Sequence, residues 1–131
     1  MVIDTSAIFA AITGEPDSRA FRAAIKSASS PLMSSVTFLE TRIVLFARGG
    51  PSAIATLDEL IERASIAVIP FDEPVAAAAF DAYKRYGKGQ GHRAQLNIID
   101  CAAYALAKSR NLPLLFKGND FAATDIASAL L

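Results

Sequence analysis

The 131-residue chain is 53% hydrophobic and 20% charged, with a mean hydropathy of +0.34. That excludes a disordered polymer and predicts one domain with a sizeable core. Thirteen Lys and Arg balance thirteen Asp and Glu beside one His, so net charge gives no pull toward nucleic acid, and any such binding needs a local basic patch.

The single cysteine, Cys101, excludes an internal disulfide and, with no Cys/His cluster, a structural zinc site. A reducing compartment follows. No apolar run reaches the length of a membrane span, and the first residues lack a basic region and a cleavage site. These features predict a cytoplasmic protein without a membrane partner. No linker, repeat or low-complexity tract divides residues 1–131, which reads as a single domain.

Met1-Val2-Ile3 opens the chain as a short buried strand, and Thr5 to Ala10 turn into a helix. GEPD at Gly14–Asp17 breaks the pattern, with Pro16 suited to a first helical turn. Phe21, Ala24, Ile25 and Ala28 then recur at helical spacing. Pro31 to Ser34 predict a second strand, and Ser35 caps a helix through VTFLETRIVLFAR that Gly49-Gly50-Pro51 ends. Ile54 to Ala64 form another amphipathic helix. Ile66 to Ile69 read as a third strand, and Glu73 to Tyr86 as an alanine-rich helix. After the break Gly87-Lys88-Gly89-Gln90-Gly91, a long helix is expected from about Ala94, stopped by Asn111 and Pro113. Leu114 to Phe116 make a fourth strand, and Ile126 to Leu131 a short last one. Apolar strands alternating with helices predict an α/β fold with a parallel sheet.

Ligands of such sheets bind beyond the carboxyl ends of the strands. Asp4 follows the first strand and Asp120 the fourth, while Glu40 and Asp100 lie early in helices. Asp100 sits in LNIIDCAAYALA, where a buried carboxylate without a partner is costly. Glu40 in VTFLETRIVLF raises the same question, with Arg42 close by. Oxygen-only clusters suit hard cations, chiefly Mg²⁺ or Mn²⁺. Such an ion can activate a water and stabilise charge on a phosphoryl oxygen, so phosphodiester hydrolysis fits this equipment.

Each residue also has a plainer role. Asp4 can be the N-cap of the helix that follows it. Thr37-Phe38-Leu39-Glu40 fits a capping box, although the apolar run starting before Thr37 puts Glu40 inside the helix. Asp120 can be an ordinary loop acid, and Asp125 is read as capping the last strand. Lys84, Arg85, Lys88, His92 and Arg93 surround a glycine-rich loop with no P-loop pattern. They are either solvated or, with Lys117, contacts for a phosphate backbone beside the acids. Cys101 reads as an inert buried thiol and Tyr104 as packing. Leucine-, isoleucine- and alanine-rich helices suit partner surfaces.

VIDTSA, SSVTFLET, YGKGQGHRAQLNIIDCAAYALA and LLFKGNDF together resemble the PIN-domain ribonucleases, most closely the VapC toxins of type II toxin–antitoxin modules. The resemblance implies a three-layer sandwich with a five-stranded parallel sheet flanked by helices. It also implies a Mg²⁺-dependent endoribonuclease, a homodimer, and neutralisation by a VapB-type antitoxin that can insert an Arg or Lys among the acids. Asp4, Glu40 and Asp100 take the central acid positions, Asp120 the fourth, and Thr5 or Ser6 hydrogen-bond within the site. Two departures stand out: many family members carry an acid where Gly118 stands, and Ile99 replaces a smaller residue. A metal-dependent phosphohydrolase of a small substrate and a catalytically weak nucleic-acid- or partner-binding module are the alternative functions.

Overall fold

The structure is a computed structural model that describes residues 1–130. Four strands form one parallel sheet: β1 (Val2–Ile3), β2 (Leu32–Ser34), β3 (Ala67–Ile69) and β4 (Leu114–Leu115), in the order β3-β2-β1-β4. Helices connect them: α1 (Thr5–Ile12), α2 (Ser18–Ser27), α3 (Ser35–Ala64), α4 (Glu73–Tyr86) and α5 (Ile98–Ser109). A short 3₁₀ turn follows at Phe121–Ala123.

Strand alternation sorts the core into two. Val2 pairs with Leu114 and Ile3 with Leu115, so successive residues send side chains to opposite faces. Val2 and Leu114 pack with Tyr86, Leu96, Tyr104 and Leu106 under α4 and α5. Ile3 and Leu115 pack with Ile8, Phe21, Ile25, Met33 and Leu57 under α1, α2 and α3. Helices cover both faces over β1, β2 and β4, as a parallel sheet favours, while the edge strand β3 leaves Ala67 and Val68 exposed; the result is three layers. The buried alanines of α5 (Ala102, Ala103, Ala105 and Ala107) leave the helix with little bulk toward its neighbours.

Three boundaries differ from expectation. The predicted fifth strand is reduced to one parallel bridge, Leu114 to Ser128, with Leu114 N–H donating to Ala127 O and Ala129 N–H to Leu114 O, both at 2.9 Å. β4 itself is two residues long and offers no longer ladder; Leu131, the end of the predicted fifth strand, lies outside the described residues. Second, α3 runs from Ser35 to Ala64 without a connecting loop, but Gly50 breaks its geometry at φ 62°, ψ −154°. Positive φ favours glycine, so the predicted stop becomes a junction, with Pro51 starting the second half.

Third, α5 begins at Ile98 rather than near Ala94. Gln95 has φ 55°, and Asn97 caps the helix by accepting from Ile99 N–H at 2.9 Å and Asp100 N–H at 2.8 Å. Ala94 is buried in a turn, and Leu96 is buried and bridged to Gly87.

Candidate active site

Asp4 leaves β1 with its own N–H donating to Leu115 O at 2.9 Å, which fixes it beside the end of β4. It caps α1: Oδ2 accepts from Ser6 N–H at 3.0 Å and from Ser6 Oγ–H at 2.7 Å. The other oxygen, Oδ1, is buried and has no hydrogen-bond partner. Capping therefore uses one oxygen and leaves the second available. Burial pushes the Asp4 carboxyl above its ordinary range, Ser6 opposes this, and the Glu40 charge adds to it.

Ser34 caps α3 by accepting from Val36 N–H at 3.2 Å. The alternative capping box at Thr37–Glu40 therefore does not form, and Glu40 lies in the second turn. Arg42 turns to Asp58 at 2.6 Å instead of to Glu40. The capping box of this protein is Asn97–Asp100, where Asp100 Oδ2 accepts from Asn97 N–H at 2.9 Å. Burial pushes the Asp100 carboxyl up to about 7 against the Asn97 amide, with the charges of Asp4, Asp120 and Glu40 pushing the same way. Asp120 is exposed at the start of the 3₁₀ turn, and its side chain makes no capping bond there.

Asp4, Glu40, Asp100 and Asp120 line one open cleft of about 390 Å³ at the carboxyl edge of β1 and β4. Four separate stretches of chain supply them. Among the described residues no three acidic, His or Cys side chains form a ready-made ligand cluster. Carboxylates with no cation between them repel, and Mg²⁺ needs only one or two of them beside its waters. The all-oxygen donor set and the unpartnered Oδ1 of Asp4 fit a hard divalent cation.

The other predicted residues divide. Thr5, Ser6 and Lys117 line the same cleft. Thr5 Oγ1 accepts from Thr41 Oγ1–H at 3.3 Å, and Ser6 Oγ accepts from Lys117 N–H at 3.0 Å. The Lys117 ammonium is held by Glu15 and by Asp17 at 3.1 Å, and these partners raise its pKa. Lys88, His92 and Arg93 do not line the acid cleft. His92 Nδ1 accepts from Ala94 N–H at 3.0 Å, and its ring meets Tyr86 edge-on at 4.9 Å. Arg93 borders a separate small pocket with Asn119, Ala122 and Ala123. Lys84 pairs with Asp81.

Asp125 is not a strand cap. It accepts from the Tyr104 hydroxyl and from Lys108 Nζ at 3.2 Å, and lies 3.7 Å from Arg85, tying α4 and α5 to the C-terminal segment. Tyr104 is packing with a polar handle, its ring 5.6 Å from that of Tyr86. Cys101 is buried, and desolvation pushes its thiol up to about 11. Sequence reasoning missed Phe9, Val44 and Arg48, which line the cleft beside the acids. The signal was available: Glu40, Val44 and Arg48 are spaced i, i+4, i+8 on one helix face.

The sequence matches the PIN domain family over residues 1–127. It is 47% identical to Ribonuclease VapC30 of Mycobacterium tuberculosis over 131 residues, covering 100% of this chain and 99% of that relative. The fold is similar to the crystal structure of VapC20 of Mycobacterium tuberculosis, a sarcin–ricin loop-cleaving toxin, with a TM-score of 0.77, 17% identity, and 96% and 95% of the two chains covered. It is also similar to a toxin–antitoxin complex from Klebsiella pneumoniae, with a TM-score of 0.69, 16% identity, and 95% and 92% covered. A match across nearly the whole sequence, with full-length relatives at this identity, means that the chain belongs to the PIN-domain family, among the VapC ribonucleases.

Proposed function

We propose that this protein is a Mg²⁺-dependent endoribonuclease, the toxin of a toxin–antitoxin pair, with Mn²⁺ as a possible substitute ion. The observation that carries the reading is the meeting of four acids in one cleft, one of them with a buried, unpartnered oxygen. Asp4 through Oδ1 and Asp100 through the oxygen not bound to Asn97 would hold the ion, with Glu40 and Asp120 flanking it. Bound there, the ion would supply an activated water and stabilise charge developing on the phosphoryl oxygens.

The residues of the chain do the positioning. Ser6 clamps Oδ2 of Asp4 and so aims Oδ1. Asn97 holds Asp100 in the same way. The Lys117 N–H on Ser6 Oγ fixes the loop that carries Asp120. A cleft open to solvent suits a polymer better than a small phosphorylated metabolite, which is the second reading.

A VapB-type antitoxin and a second copy of this chain are the protein partners of this reading. Membership among the VapC ribonucleases supports both, and exposed Leu39, Ile43 and Phe46 on α3 and Phe80 and Ile98 on α4 and α5 give apolar surface for them. Among the described residues no helix is long and apolar enough to cross a membrane, which is compatible with cytoplasmic RNA as the target.

The test is cleavage of a panel of structured RNAs with and without Mg²⁺, comparing wild type with Asp100→Asn. Cleavage that needs both the metal and Asp100 is the expected result. Turnover of a small phosphomonoester with no RNA cut would favour the second reading. No metal binding and no cleavage would leave a binding module.

A further inference from the structure

The acid cleft poses an electrostatic problem for a polyanion. A divalent ion among four carboxylates can attract the phosphate that reacts, but its neighbours along the strand still meet negative charge. They need a cation at the rim.

Two cations line the cleft, Arg48 and Lys117. Lys117 is committed to Glu15 and Asp17. Arg48 has no carboxylate partner among the described residues, although acids stand around it. Its guanidinium instead lies over the Phe9 ring, 4.7 Å from the centroid. Arg42, Arg63 and Arg85 are paired with Asp58, Glu59 and Asp125, and Arg19, Arg93 and Arg110 do not line this cleft. Arg48 is exposed, two helical turns beyond Glu40 on the same face of α3. The stacking orients its planar fork, and that fork matches two oxygens of a phosphate.

We propose that Arg48, oriented by Phe9, forms a subsite for a phosphate of the RNA backbone next to the one that reacts. Nothing in the reaction requires it to touch the scissile bond, so it is a binding residue and Phe9 its positioning residue. The inference rests on the ribonuclease reading.

Two measurements test it with a labelled single-stranded RNA. One is initial-rate cleavage with Mg²⁺; the other is binding by fluorescence anisotropy across a salt series, with Ca²⁺ replacing Mg²⁺. Arg48→Gln keeps most of the side chain's length without the charge, and Arg48→Lys keeps the charge without the fork. For Arg48→Gln, KM should rise ~10-fold with kcat within ~2-fold, and the slope of log Kd against log salt should fall by ~0.7, the share of one single-strand phosphate contact. Arg48→Lys should recover the slope but only part of KM. Phe9→Leu should raise KM and leave the slope, because the charge stays. Wild-type KM and slope in Arg48→Gln, from a protein that cuts RNA, would overturn the subsite and leave the ribonuclease reading standing. A wild type that binds but never cuts, with the slope still lowered in Arg48→Gln, would do the reverse. A wild type that neither binds nor cuts RNA would overturn both.

Discussion

The acid cleft and the loop between α4 and α5 carry opposite charges and are assembled in opposite ways. The cleft draws Asp4, Glu40, Asp100 and Asp120 from stretches far apart in the chain and fixes two of them by hydrogen bonds to Ser6 and Asn97. The last turn of α4 and the loop after it offer Lys84, Arg85, Lys88, His92 and Arg93 within ten residues, yet none of them lines the cleft. Lys84 and Arg85 are consumed by ion pairs, and His92 props its own backbone and Tyr86. Closeness in sequence gathered basic charge outside the cleft; the sheet edge brought the four acids into it.

The sharpest way to break this contrast is to neutralise the cleft. Asp4→Asn and Asp100→Asn should each lower Mg²⁺-dependent RNA cleavage by about two orders of magnitude or more. Both should remain folded in thermal melts, since Asn keeps an acceptor oxygen for Ser6 or Asn97. Unfolded variants would show that these acids are structural.

On the loop side, Asp125→Ala removes the acceptor of a buried tyrosine hydroxyl and the partner of Arg85 and Lys108. Urea denaturation should show a loss of about 1–3 kcal/mol, with kcat retained by the folded fraction. A loss of kcat would bring this region into the chemistry.

The pH dependence of stability separates the two regions further. Asp100, raised to about 7, and Asp4, raised as well, bind protons more tightly in the folded protein than in the unfolded chain. Their stabilising effect is complete below the ordinary carboxyl range and is lost as pH rises through the folded values. In EDTA, the melting temperature should therefore fall between about pH 4 and pH 7. Asp100→Asn should flatten that fall, and Mg²⁺ should stabilise more at pH 8 than at pH 5. A melting temperature that rises across this window without metal would contradict the burial of these acids. The smallest effect is reserved for the triple variant Lys88→Ala, His92→Ala, Arg93→Ala: a change in KM of a few-fold at most, with kcat unchanged. A collapse of kcat would bring the loop into the site.

The strands and the separate acids were legible because short apolar runs ending in a carboxylate are local patterns. What failed was arbitration between neighbouring local signals. The cap of α3 was placed at Ser35, where Ser34 caps instead, and the capping-box spacing of Asn97–Asp100 lay inside a segment read as continuous helix. Asp125 was given to a strand end because its partners, Tyr104 and Lys108 on α5 and Arg85 on α4, are remote in sequence. Arg48 went unnoticed because an arginine on an exposed helix face is unremarkable until the acids beside it are in place.

By itself the amino-acid sequence determined the alternation of strands and helices, that a single cysteine leaves no internal disulfide, and which acids have apolar surroundings, because these depend on composition and on spacing along one element. Only the tertiary structure decided that the four acids share a cleft, that Asp4 keeps one oxygen unpartnered, and that Arg48 rather than the glycine-rich loop brings positive charge to the rim. Those facts depend on distances across the sheet, which no spacing along the chain encodes.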